Sequence, residues 1–476
     1  MENNAFPGTT LTRPAPALET ARRRILLVSG FFPPYAPTAS TRAPTLARYW
    51  TEKGHDVRVL AAHNPGKPQV LSHSLPEEAV RFVPFPEVRK LREAAAYHLF
   101  GRIPPVPAAD VAAAAAEAAA PATGEGGASQ QGPQQGPRYA RLPFRRQLAD
   151  LYWDLMFIPD KHLFWVETAL RAGLEWTQGW QPDLIYSSGP PHSGHLVAAR
   201  LAGVAKAPWV AELRDEWAGN PYGLESWLRA RLERRLERQT LSQAQALVAL
   251  TATTRKTLET AYGKPTVLSM NGYDPADFEG LENVPALDPH RLTIMHAGSI
   301  YIGKRDPSAL FAATAKLGPL KDKVSLLFYG EQADSLQNLA RQHGVEAQVT
   351  ISPPIARRQV LELERRTDVL LLCRWNNPAD DGIIPGKLFE YIGAERPILS
   401  IGSETGEAAE IVRSGGFGLV SNDPEVLAEQ LRVWIAQKQA TPRLPDVRSP
   451  QKHLYTRSGQ FDLLDRFLSE SVIPSL

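Results

Sequence analysis

Short apolar runs alternate with helix-length amphipathic segments along most of the chain. RILLVSG (24–30) ends at Gly30 and is followed by a proline-rich turn, a helical pattern STRAPTLARYWTEKG (40–54) and a second apolar run DVRVLAA (56–62). Parallel strands need a crossover, and a helix is the usual one, so this opening implies a parallel sheet. The same pattern predicts strands at DLIYSS (183–188), PWVAEL (208–213), ALVAL (246–250) and PTVLS (265–269), before turn residues in VLSMNGYDPADF (267–278) close the series. A second series runs through RLTIMHAGS (291–299), KVSLLFYG (323–330), AQVTIS (347–352), DVLLLC (368–373), RPILSIG (396–402) and FGLVS (417–421), and YTRSGQFDLLDRFLSE (455–470) ends the chain as a helix. Two alternating series predict an α/β fold of two Rossmann-like doubly wound domains, over 22–280 and 290–445. Residues 1–21 read as a disordered tail. The alanine tract and GEGGASQQGPQQGP within 101–137 read as a flexible insertion, because they offer too little apolar surface to offset the entropy of ordering.

Composition narrows the class of function. Of 476 residues 43% are hydrophobic, enough for two cores, and 53 basic against 51 acidic residues leave a net charge of +2. That balance excludes the strong positive field of a general nucleic-acid binder. Cys373 is the single cysteine, which excludes an intrachain disulfide and a cysteine-rich metal site and fits a reducing, cytoplasmic setting. The apolar run after Arg22, Arg23 and Arg24 is short and ends at Pro33 and Pro34, so it reads as a buried strand and not a leader. Peripheral attachment at the cytoplasmic membrane face stays open. RYARLPFRR (138–146), interleaved with Tyr139, Leu142 and Phe144, has the composition of a segment resting on an anionic bilayer, whereas LRARLERRLER (228–238) reads as a solvated helix bridged by Glu233 and Glu237.

In open parallel sheets ligands bind where strands end and helices begin. That rule selects the loop after Gly30 and the loop HAGSIYIGKRDPSAL, where Gly298 admits close backbone approach and Lys304 and Arg305 offer charge to a diphosphate; the alternative is an ordinary connection with a solvated Lys-Arg pair. In GIIPGKLFEYIGAERPIL, Gly386 opens a helix that carries Lys387, suited to phosphate, and Glu390, suited to sugar hydroxyls. Ser403 to Gly406 form another helix start that could cradle phosphate. In the first domain His192, His195, Arg214 and Asp215 fall at strand ends, where a His or Asp can orient an acceptor hydroxyl, or where Arg214 and Asp215 simply pair. No HExxH, GxSxG or Walker motif is present, and GSIYIG is not the dinucleotide fingerprint.

Taken in order, ILLVSGFFPPYAPTASTR, PDLIYSSGPPHSGHLVAARLAG, PWVAELRDEW, VLSMNGYDPADF, HAGSIYIGKRDP, SLLFYG and PGKLFEYIGAERPIL resemble glycosyltransferase family 4 of the GT-B superfamily, particularly bacterial members that build surface polysaccharides. The resemblance implies two domains facing across a cleft, an N-terminal acceptor domain, a C-terminal donor domain and a last helix (452–470) crossing back to the first. It implies retaining transfer from a nucleoside-diphosphate sugar to a saccharide or lipid-linked acceptor, with no cofactor and no essential metal. Lys304 or Arg305 and Lys387 then match diphosphate-binding positions, and Glu390 the carboxylate that holds the donor ribose. Two positions depart from the pattern: Gly382 stands where many members have a second glutamate, with Asp381 beside it as the candidate substitute, and Arg214 followed by Asp215 stands where many have a histidine. The candidate catalytic groups are therefore Asp215, Arg214 and His192, with Gly30 and His195 on the acceptor side. The rivals are a nucleotide-sugar 2-epimerase of the same fold and a catalytically silent GT-B scaffold protein.

Overall fold

The computed structural model describes residues 22–37, 40–64, 71–85, 155–218, 227–331 and 333–473. The expected tail, the insertion and the basic segment 138–146 lie outside these residues.

Strand β1 (Arg24–Ser29) is apolar on both faces, which only a sheet covered on two sides can satisfy. Leu26 and Val28 pack into a layer with Trp165 and Trp180, while Ile25 and Leu27 pack with Trp50, Phe461 and Leu464. The first series continues as α1 (Arg42–Glu52), β2 (Asp56–Ala62), β3 (Val80–Val83), α2 (Trp165–Thr177), β4 (Leu184–Gly189), α3 (Ser193–Ala205), β5 (Trp209–Leu213), α4 (Trp227–Leu241), β6 (Ala246–Ala249), α5 (Ala252–Tyr262) and β7 (Thr266–Leu268). These seven strands form one parallel sheet in the order β3-β2-β1-β4-β5-β6-β7. Strand β3 is an addition to the sequence reading. It has four residues, pairs only with β2, and is followed by Pro84, whose missing N–H cannot extend a ladder.

The second series is β8 (Leu292–Ala297), α6 (Ser308–Ala315), β9 (Val324–Tyr329), α7 (Ala333–Gln342), β10 (Val349–Ser352), α8 (Arg357–Arg366), β11 (Val369–Cys373), α9 (Gly386–Gly393), β12 (Ile398–Ile401), α10 (Glu407–Ser414), β13 (Gly418–Val420) and α11 (Pro424–Ala440). Its six strands are also parallel, in the order β10-β9-β8-β11-β12-β13. Helix α12 (Arg457–Phe467) then packs beneath the first sheet: Phe461, Leu464 and the following Leu468 join Trp50 and Tyr186 in one buried cluster. Each such side chain contributes about 1.5–3 kcal/mol on burial. Gln460 fixes the approach by accepting the Met270 N–H at 2.7 Å and donating to the Leu454 carbonyl at 2.7 Å.

Strand order reverses between β1 and β4 in one sheet and between β8 and β11 in the other. At such points neighbouring loops diverge and leave a crevice at the carboxyl edge.

Candidate functional site

At the first crevice, loops following β1 and β4 touch. A methyl group on Gly30 would meet Pro191 at 2.8 Å, so glycine lets the two loops close together. Asn64 donates to the Gly30 carbonyl at 2.9 Å and fixes the same loop. His192 begins α3, with its ring stacked on Trp217 at 5.0 Å and 4° between planes. Arg214 does not pair with Asp215. Its guanidinium donates to the Gly189 and Pro190 carbonyls and pins the loop that carries His192. Asp215 follows it in the chain, and desolvation of its carboxyl raises the pKa, with Arg214 opposing.

His195 corrects the sequence expectation. One turn into α3, it points back under the sheet and is fully buried, with Nδ1 at 2.8 Å from Ser187 Oγ, which also accepts the Trp209 indole N–H at 2.8 Å. A group with no exposed surface cannot line an acceptor site, so its role is in the core. Burial lowers its pKa to about 3, and burial, then His195 and Arg214, hold His192 well below its ordinary value. Both imidazoles are therefore neutral when folded. In the unfolded chain a histidine takes up a proton near pH 6.5, while His195 resists until about pH 3. Their contribution to stability is complete above pH 6.5 and declines as pH falls from 6.5 toward 3. Melting temperature measured across this window should fall with acid, and His195→Asn should flatten the decline.

Sequence reasoning missed a buried hub behind this wall. The Glu212 carboxylate accepts from Arg42 Nε, the Tyr186 hydroxyl and the Ser188 hydroxyl, each at 2.7 Å, and Arg42 also reaches Ser269 Oγ at 2.9 Å and the Met270 carbonyl at 2.8 Å. Against the cost of burial, Arg42 and the two hydroxyls hold the Glu212 carboxyl below its usual pKa. The signal was a glutamate inside the apolar strand PWVAEL, which requires a buried partner.

At the second crevice two of the three predicted cations, Arg305 and Lys387, line one recess. Gly298 ends β8 with φ +134°, and a methyl group there would stand 2.1 Å from Lys387 Nζ. Glycine thus lets the buried lysine of α9 lie across the backbone of the β8 loop. Arg305 reaches Asp380 at 3.2 Å, and Arg374 reaches the same carboxylate at 2.8 Å. Arg374 also donates to the carbonyls of Asp380 and Ile383, folding the 374–383 loop onto the strand edge. His296, Ser299, Arg305, Arg374, Asp380 and Lys387 line a narrow recess open to solvent. Arg305 and Arg374 thus share the Asp380 carboxylate, and Lys387 lines the same recess. Lys304 stands outside this cluster with Nζ over the Trp375 ring at 4.6 Å.

The remaining predicted carboxylates are occupied by protein. Asp381 accepts from the hydroxyls of Ser403 and, at 3.0 Å, Thr405, and its backbone carbonyl accepts the Glu407 N–H at 2.8 Å. The hydroxyls expected to cradle phosphate thus hold Asp381 in this structure, and Asp381 is not presented to a sugar. Glu390 accepts from Arg357 at 3.0 Å, and Arg357 also binds Asp277 at 2.7 Å. Gly386 starts α9 at the rim, with Pro385 lining the recess. Glu407, unforeseen in the sequence, reaches the other lobe: its carboxylate accepts the N–H groups of Ala252 and Thr253, each at 2.7 Å, at the start of α5. Anions are favoured at a helix start by its unpaired donors and dipole. Among the described residues no group of three His, Cys, Asp or Glu side chains is placed to hold a metal ion, and no helix is long and apolar enough to cross a membrane.

Residues 107–273 match the family described as glycosyl transferase 4-like domain. No curated protein sequence matches the chain. Among solved structures, Anabaena HepE in complex with UDP and glucose is similar at 15% identity and TM-score 0.51, covering 94% of this chain and 100% of its own. Sucrose-phosphate synthase from Thermosynechococcus elongatus is similar at 15% identity and TM-score 0.53, with 94% and 99% covered. A glycosyltransferase from Rickettsia africae is similar at 10% identity and TM-score 0.52, with 96% and 100% covered. At such identities the likeness establishes the fold, and the sequence match establishes the domain. The chain has the two-domain GT-B fold, and within it residues 107–273 match the glycosyl transferase 4-like domain.

Proposed function

We propose that the chain is a retaining glycosyltransferase that moves a hexosyl or related group from a nucleoside-diphosphate sugar to a saccharide or lipid-linked acceptor in surface-polysaccharide assembly at the cytoplasmic face of the membrane. The observation that carries this reading is the recess at the β8/β11 crevice, where Arg305 and Arg374 share Asp380 and Lys387 lines the same wall. Departure of a nucleoside diphosphate develops negative charge, and fixed cations stabilise it without reorganisation at the moment of reaction. In this reading side chains and not a metal ion carry that charge. Glu390 holds the donor ribose after Arg357 yields, and His192, Arg214 and Asp215 form the acceptor wall. HepE was solved with UDP and glucose, which supports a nucleotide-sugar donor here.

The test is a thermal-shift series of the purified protein with UDP, GDP, ADP, dTDP and their sugar conjugates. A ligand that binds only the native state raises the melting temperature by mass action, about 2.7 kcal/mol at a hundredfold excess over Kd. A base-selective rise is expected, abolished by Lys387→Ala and reduced by Glu390→Ala. No rise with any nucleotide would overturn the reading in favour of a silent scaffold, for which the protein-bound state of Asp381 and Glu390 is the motivating observation. Release of free nucleotide from a UDP-sugar with no acceptor present would point to the epimerase.

A further inference from the structure

Helix α8 buries Val360, Leu361 and Glu364 along one stripe, at the spacing that turns every third or fourth residue toward the core. A glutamate thus stands where an apolar side chain belongs. Glu364 is 1% exposed, and its Oε2 is buried with no hydrogen-bond partner. Seven residues after Arg357, it lies on the same face of the helix two turns on. Nothing in the proposed transfer uses this carboxyl.

The charged groups that act on it come from two helices: Glu390 and Lys387 from α9, and Arg357 from α8 itself. Beyond them, Asp277 holds Arg357 at 2.7 Å from the turn between the lobes, and Arg457 at the start of α12 faces Asp277, Arg357 and Glu390. An ionised carboxyl with an unbonded buried oxygen is strongly destabilising, and a group so placed takes up a proton instead. Burial first, and then the nearby Glu390 carboxylate, hold the Glu364 carboxyl well above its usual pKa, with Arg357 and Lys387 opposing. A protonated carboxyl has a hydroxyl hydrogen to give. Arg357 and Lys387 can only donate, so Glu390 is the one of these three neighbours able to accept it.

We infer that Glu364 is a positioning residue of the donor site: as a neutral carboxylic acid it donates its hydroxyl hydrogen to the Glu390 carboxylate and holds that group in place. The inference rests on the reading of Glu390 as the residue that receives the donor ribose. In the structure Arg357 bonds Glu390 at 3.0 Å and must withdraw before sugar hydroxyls can take its place. Glu390 then loses its cation. A hydrogen bond from the buried side keeps the carboxylate ionised and oriented, while its solvent side, 15% exposed, turns to the ribose. An ionised Glu364 would do the reverse, because neighbouring carboxylates repel and cannot both stay charged and close. The proton stays on Glu364 throughout.

Melts of the full chain, wild type against Glu364→Gln, from about pH 5 to about pH 8 test the protonation without any nucleotide. In the unfolded chain the carboxyl loses its proton near pH 4.5, whereas the folded chain keeps it to a much higher pH. The stability that depends on this proton is complete below pH 4.5 and is lost as pH rises toward the folded value. The folding equilibrium constant of wild type should therefore fall by up to about tenfold per pH unit relative to Glu364→Gln, which keeps the neutral shape. The histidine contributions have the opposite sign and cancel in the comparison. Adding Glu390→Gln to both proteins should shrink the pH-dependent difference. Titration calorimetry with UDP, GDP, ADP and dTDP then tests the role in the site. Glu364→Leu should weaken binding about tenfold, the worth of one hydrogen bond to a charged group, and Glu364→Gln should recover most of that loss, since its amide N–H donates where the hydroxyl did. A difference in stability that does not change with pH, or equal affinity in the leucine and glutamine variants, would overturn the inference. If no diphosphate binds even wild type, the donor-site reading and the positioning role fall together, while a pH-dependent difference that Glu390→Gln shrinks still establishes the shared proton.

Discussion

Glu212→Ala should lower the free energy of unfolding by about 3–5 kcal/mol, the range for removing one partner of a buried ion pair. Arg42 would keep its charge with 5% of its surface exposed, and Tyr186 and Ser188 would lose their acceptor. The effect reaches several elements at once, because the carboxylate on β5 joins the start of α1, strand β4 and, through Arg42, the residues after β7. Urea unfolding followed by circular dichroism measures it. Glu212→Gln keeps the shape and some hydrogen bonds but not the charge, so it should fall between wild type and alanine. An alanine variant within about 1 kcal/mol of wild type would mean that the hub is relaxed by solvent.

Gly298→Ala should both destabilise the protein, by about 2–4 kcal/mol, and abolish nucleotide-induced stabilisation. The new methyl group would stand 2.1 Å from Lys387 Nζ and 2.8 Å from Cε, at a φ of +134° that side-chain-bearing residues rarely adopt. Lys387 must move, and the recess loses one of its buried cations. The double variant Gly298→Ala with Lys387→Ala separates the two consequences. Removing the long side chain relieves the clash and returns part of the stability, while leaving the residual cost of the backbone angle and no nucleotide response. If the single variant kept its nucleotide response, the lysine would not be the group that holds the diphosphate.

How far this was legible in the sequence depended on whether the determinants were local. The strands of both sheets stood out because strands covered on two faces are apolar runs, and the glycines and prolines after them mark the loops. Strand β3 escaped because VRFV keeps one edge unpaired and alternates too briefly to register. Gly298 and Lys387 were found by the rule that ligands gather where strands meet helix starts. The same rule selected His192 and His195 together; three residues apart, they share one face at the start of α3, and the structure buries both, His192 with 8% and His195 with none of its surface exposed. Arg374 and Asp380 belong to a loop that folds back on itself, and Arg42 and Glu212 are 170 residues apart, so neither pairing has a local signature. Arginine and glutamate alternate in the α4 sequence, but only the three-dimensional helix reveals that the glutamates turn inward, Glu233 to Arg229 at 2.8 Å and Glu237 to the Ala218 N–H at 3.0 Å.

The contact from Glu407 to the start of α5 bears on the distribution of shapes this chain adopts in solution. It joins the lobes at the cleft lip, through two N–H groups that water readily solvates once the carboxylate leaves. A charged helix cap of this kind contributes about 1–2 kcal/mol, which weights the closed arrangement by a factor on the order of ten. This contact therefore biases the lobes toward one another without locking them. Because the Glu407 backbone is also bonded to Asp381, whose carboxylate occupies Ser403 and Thr405, the turn that bridges the lobes is continuous with the loop flanking the recess. A shift of the bridging turn is therefore carried along the backbone into the loop beside the recess.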